Sequence, residues 1–146
     1  MRRGWLLAVA LNSLLLSIAA CLDDVPTSAQ VAGDYTLSEV NSAPLPVVVE
    51  VSKESTTAAT AGQLLLALDG DYSMTVHYES IPSENGDLVV KSSLNDSGRY
   101  SLSNNSLLFI STFDTTWSGT VRSNIVRVAV RSRGNVGPAL DLTFRR

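Results

Sequence analysis

The chain has 146 residues, of which 45% are hydrophobic and 17% charged, with 11 basic and 14 acidic side chains and a net charge of −3. This is one domain's worth of sequence, and its acidic balance lacks the basic footprint that nucleic-acid binding needs. One cysteine and one histidine exclude an internal disulfide and a cysteine/histidine zinc site.

At the start, Arg2 and Arg3 precede an apolar run from Trp5 to Ala20, broken by Asn12, Ser13 and Ser17. Such a run is short for a spanning helix. A positive start, a brief apolar core and small residues before a cut predict a signal peptide over residues 1–20. Its last residues, Ile18-Ala19-Ala20-Cys21, form a lipobox and resemble the bacterial lipoprotein class. The resemblance implies lipidation of Cys21 and a membrane anchor there, since acyl chains hold by burying CH₂ groups worth about 0.8 kcal/mol each. Leu22, not aspartate, follows the cysteine. Within that class this implies the outer membrane, with the protein facing the periplasm. Cleavage would leave nine basic and fourteen acidic residues, split into −9 over residues 21–100 and +4 over 101–146.

Residues 21–31 are polar apart from scattered apolar positions, contain Pro26 and show no periodicity, so they read as the lipidated cysteine and a tether. Residues 32–146 read as one all-β domain. A half-buried strand shows apolar residues at every second position. Tyr72, Met74, Val76 and Tyr78 do so, as do Val126, Val128 and Val130, and Leu140, Leu142 and Phe144. Strands are predicted near 33–41, 47–53, 63–69, 71–80, 87–94, 98–103, 106–113, 116–122, 124–131 and 139–145. Asp69-Gly70, Asn85-Gly86, Asn104-Asn105 and Ser123-Asn124 supply the residues that tolerate the positive φ of tight hairpins. No stretch has a sustained helical period, and Ser55 to Ala61 reads as loop or one loose turn.

A meander of this many strands must protect its edges. Closure into an up-and-down barrel does so; a two-sheet β-sandwich is the alternative, though sandwiches favour Greek-key crossings. Short strands and the outward charges Arg127 and Arg131 argue against a membrane-spanning barrel.

Ala32-Gly33-Asp34-Tyr35-Thr36-Leu37, Gly62-Gln63-Leu64-Leu65-Leu66 through Met74, Gly98-Arg99-Tyr100-Ser101-Leu102 and Ser118-Gly119-Thr120-Val121 resemble the hairpins of small bacterial lipocalin-like lipoproteins. Gly33-Asp34-Tyr35 stands where lipocalins carry Gly-x-Trp. The resemblance implies a barrel that holds a small apolar ligand, and it brings no catalytic residue with it.

No constellation for catalysis is found, so no enzyme, cofactor or metal is expected. His77 lies on the polar parity of its strand without partners, and Asp69-Gly70-Asp71 lacks the further oxygen ligands of a calcium loop. Glu50, Glu54, Glu79 and Glu84 are too scattered for a general acid/base pair. Arg127, Arg131 and Arg133 share one parity and predict a charged outer face, solvated or meeting an anionic partner. The aromatics fall mostly on the apolar parity; Tyr35, Tyr72, Trp117 and Phe144 are the candidates to line a cavity, with the Lys53–Ala61 segment covering one mouth. Two roles stay open. One is a lipid-anchored barrel with a small apolar ligand; the other is a filled barrel serving as a structural or interaction module for another envelope protein. Small residues Gly119, Ala129 and Ala139 would open the interior, whereas aromatics would fill it.

Overall fold

The computed structural model describes residues 25–131 and 139–146. The predicted signal peptide, Cys21 and Arg133 lie outside the described residues. The elements run α1 (Ser28–Val31), β1 (Gly33–Val40), β2 (Ala43–Pro44), β3 (Val47–Val51), β4 (Ser55–Leu66), β5 (Asp71–Pro82), β6 (Val90–Ser103), β7 (Ser106–Ser111), β8 (Thr116–Arg122), β9 (Ile125–Val130) and β10 (Leu140–Arg145).

From β4 to β10 each strand pairs antiparallel with the next, β10 pairs with β1, and β1 pairs with β4. This closes an eight-stranded up-and-down barrel, with β2 and β3 as extra strands beside β1 and β4. The expected parity holds. Tyr72, Met74, Val76, Val126, Val128, Val130, Leu142 and Phe144 are buried, while Arg127 and Ala129 between them are exposed. Hairpin positions also fall as their residues require: Gly70, Asn104 and Ser123 have φ of 88°, 54° and 52°.

Three boundaries differ from the sequence reading. The Lys53–Ala61 segment is not a covering loop, because β4 begins at Ser55 and pairs with both β3 and β5. Its threonines and alanines suit a strand but carry too little hydropathy contrast to display a period of two. The two strands expected over 87–94 and 98–103 are one strand, β6. The tether does not run free to residue 31. Thr27 and Gln30 form a capping box on α1, Val31 is buried, and the Tyr35 hydroxyl donates to its carbonyl at 2.6 Å. A four-residue turn is too short to announce itself by periodicity.

The two barrel ends are unlike. At the closed end, α1 meets the C-terminus, where the Arg146 guanidinium donates to the carbonyls of Ala32 (2.8 Å) and Gln30 (3.1 Å). Arg146 also lies 5.5 Å over the Tyr35 ring. The interior above is filled by side chains. Gly119 is on the inward parity, but it opens no space: a Cβ there would meet the Phe109 ring at 3.1 Å and the Arg127 carbonyl at 2.6 Å. Ala129 and Ala139 are exposed. At the other end β4, β5 and β6 run on past the barrel, since β6 pairs with β7 only from Gly98 onward. With β3 they form a sheet that overhangs the mouth.

Candidate functional site

A cleft of about 720 Å³ occupies this open mouth. Its back wall is the inward face of the overhanging sheet, with Val49, Thr57, Tyr78 and Ser80; Phe113, Thr115, Val130, Arg131 and Leu140 face it from the opposite rim. Five consecutive residues of β6, Ser92 to Asp96, line one side. Side chains alternate across a strand, so a run of both parities means that the strand's edge abuts the cleft.

The floor is polar and buried. Asp96 sits on the inward parity of β6 and is 5% exposed. Its Oδ2 accepts from the Tyr72 hydroxyl at 2.6 Å, and its Oδ1 accepts from the Ser111 hydroxyl. Ser111 Oγ in turn accepts from the Phe113 amide at 3.1 Å. Among the described residues no lysine or arginine forms an ion pair with Asp96. Burial, and then the hydrogen bond and charge of Asp96, push the Tyr72 phenol far above its ordinary value, so that it stays a donor. Burial raises Tyr78 as well.

Trp117 completes the floor, 9% exposed. Its indole N–H is near enough to Tyr72 to offset part of that rise, yet it is buried without a hydrogen-bond partner. A buried unpaired donor costs about 1–3 kcal/mol. The cleft therefore offers a carboxyl with remaining acceptor capacity, several hydroxyls and an apolar rim. That combination suits an amphipathic ligand.

Of the four aromatics nominated from sequence, Trp117 lines the cleft and Tyr72 lies beneath it, bonded to Asp96. Tyr35 lies at the closed end and Phe144 is fully buried in the filled interior, away from the cleft lining. Asp96, Ser111, Leu94 and Tyr78 were not nominated. Extending the Tyr100–Leu102 parity back through Gly98 would have placed Asp96 and Leu94 inside.

The arginines divide. Arg145 pairs with Glu39 at 2.8 Å and Arg146 latches the N-terminal turn, whereas Arg127 and Arg131 are exposed. Among the described residues no three His, Cys, Asp or Glu side chains come together as a metal site, and no helix is long and apolar enough to cross a membrane. No protein-family model matches the chain, and a search of curated proteins finds no match.

Proposed function

We propose that the chain is a non-enzymatic binding module of the bacterial envelope, a lipocalin-like barrel anchored through a lipid on Cys21 and taking an amphipathic ligand in its mouth cleft. The observation that carries the ligand reading is the cleft itself, where the Asp96 carboxyl lies at the floor beneath an apolar rim. The filled interior moves the site from the barrel axis to its mouth. The lipobox Ile18-Ala19-Ala20-Cys21 supports the anchor, and Leu22 supports the outer membrane with the domain facing the periplasm. Lipid at Cys21 would join the chain seven residues before α1, at the closed end, so the cleft would open away from the membrane.

Native mass spectrometry of the mature protein, extracted gently from envelope membranes, tests the ligand. A reproducible added mass that is lost on denaturation is expected, and it should fall away in Leu94→Asp, which puts a charge on the apolar lining. A bare polypeptide mass, with no change in Trp117 fluorescence on adding envelope extract, would overturn the reading. Detergent-phase partitioning tests the anchor: Cys21→Ser should move the protein to the aqueous phase.

The exposed apolar residues Leu88, Val89 and Val90 beside the cleft favour a second reading, in which the mouth meets another envelope protein.

A further inference from the structure

Among the described residues the barrel leaves three strand edges open, and they are not equivalent: β2, which pairs only with β1, is two residues long and ends in a proline. β3 pairs only with β4. It is preceded by Pro46 and carries a register shift between Val48 and Glu50; prolines and bulges are how proteins blunt an edge. The third edge is the first half of β6, which outruns β7. Its register with β5 is unbroken from Val90 to Arg99, and it contains no proline or bulge.

The hairpin fixes which backbone groups face that edge. Ser103 and Ser106 flank a two-residue turn, so they form a hydrogen-bonded pair, and N–H and C=O of alternate residues point the same way. Odd-numbered residues of β6 therefore face β7 and even-numbered ones face β5. Two bonds agree: the Thr112 amide donates to the Ser97 carbonyl at 2.8 Å, and the Tyr100 amide donates to the Gly70 carbonyl on the β5 side at 2.7 Å. Beyond β7, the donors and acceptors of Lys91, Ser93 and Asn95 have no backbone partner among the described residues. They repeat every two residues, about 6.8 Å, and Ser93 and Asn95 border the cleft.

We propose that this edge takes an extended peptide as an added strand, lying along Lys91–Asn95 and sending alternate side chains into the cleft. The inference rests on the mouth cleft being the binding site, and it names the ligand as peptide. Only a β-strand backbone matches a row of alternating donors and acceptors at that spacing; main-chain bonds give affinity, and the pocket reads alternate side chains. The side chain opposite Leu94 would fall toward Trp117, Val130 and Leu140. Exposed Leu88, Val89 and Val90 at the start of the strand extend the apolar contact.

The test pans a phage-displayed library of random nine-residue peptides against the purified protein. Enriched sequences should carry apolar residues at alternate positions. Ser93→Pro removes one edge N–H but no bond to β5, so the domain should still fold while the synthesised peptide binds about tenfold more weakly. Should that variant not fold, amide exchange in the unaltered protein decides: the peptide should slow exchange at Ser93 and Asn95 and leave Ser92 and Leu94 unchanged. Absence of enrichment, undiminished binding to folded Ser93→Pro, or no protection at Ser93 and Asn95 would each overturn the proposal. A small-molecule adduct in the mass spectrum without peptide enrichment would sink the peptide and leave the cleft reading standing.

Discussion

Tyr72→Phe isolates one bond at the cleft floor. The substitution keeps the ring, whose edge-on contact with Phe109 has centroids 5.0 Å apart, and removes only the hydroxyl that donates to Asp96 at 2.6 Å. A hydrogen bond to a charged group is worth about 1.5–3 kcal/mol, so the loss should be about 2 kcal/mol. With a urea slope of about 1.5 kcal/mol per M, the unfolding midpoint should fall by about 1.3 M. Trp117, one of two tryptophans and the only one beyond residue 5, gives the fluorescence signal. The decisive measurement repeats the change in an Asp96→Ala background. There the Tyr72 hydroxyl has already lost its acceptor, so deleting it should cost nothing or stabilise slightly, an interaction energy of about 2 kcal/mol across the cycle. Equal losses in both backgrounds would refute the idea that this bond holds the floor.

Gly98→Ala should destabilise by about 2–3 kcal/mol, because its Cβ would stand 2.0 Å from the Ile110 carbonyl oxygen. Gly86→Ala, with nothing within 4 Å, should melt within about 0.5 kcal/mol of the parent. Arg146→Ala should speed amide exchange over residues 28–35 and leave the β7–β8 hairpin untouched, since it removes two bonds to the N-terminal turn and the contact over Tyr35. All four tyrosines titrate above their ordinary value of 10.0, each chiefly through burial. A raised folded pKa contributes stability that is full below pH 10 and is lost as pH climbs through the folded values. Tyrosinate absorbance should therefore lag beyond pH 10 and rise together with unfolding; an independent titration of four ordinary phenols would contradict the burial.

What the sequence revealed and what it hid follow from contrast. Strands β5, β9 and β10 alternate large apolar with polar residues, and their faces were readable without a structure. In β4 the same alternation is written in Thr and Ala, whose burial differs although their hydropathy hardly does: Ala59 is fully buried, and Thr57 bonds Ser80 at 2.8 Å. At Asn95-Asp96-Ser97-Gly98 local chemistry misled. These are turn-forming residues, yet Asp96 is turned inward because Tyr72 and Ser111 satisfy it, and Gly98 is there because the β7 backbone comes too close for a side chain. Neither partner is near in sequence, so no local pattern could display the pairing. The closed end was hidden for the same reason, since Arg146 and Gln30 meet only after the barrel has closed. Trp117 and Tyr72 were nominated for being large and inward, which also describes Tyr35 and Phe144. Parity identifies the interior, but not the height along the barrel axis at which packing gives way to the mouth.

That height is set by where β7 ends. Ser111 is its last residue, and its hydroxyl both donates to Asp96 and accepts from the Phe113 amide. One side chain thus terminates the strand, turns the chain toward β8 and holds the carboxyl under the cleft. β6 does not stop there, because its partner β5 continues to Pro82 and β4 pairs with β5 as far back as Ser55. A barrel whose strands all ended together would have a short rim, with its edges consumed in pairing. Here the mismatch in strand length between β6 and β7 creates the overhang, the cleft beneath it and the unpaired backbone along its side. The filled lower barrel tolerates this because its own ladder is closed, so the open edge can remain available without loosening the core. The buried acid marks the boundary: below it the interior satisfies itself, and above it the β6 edge is left for something else to satisfy.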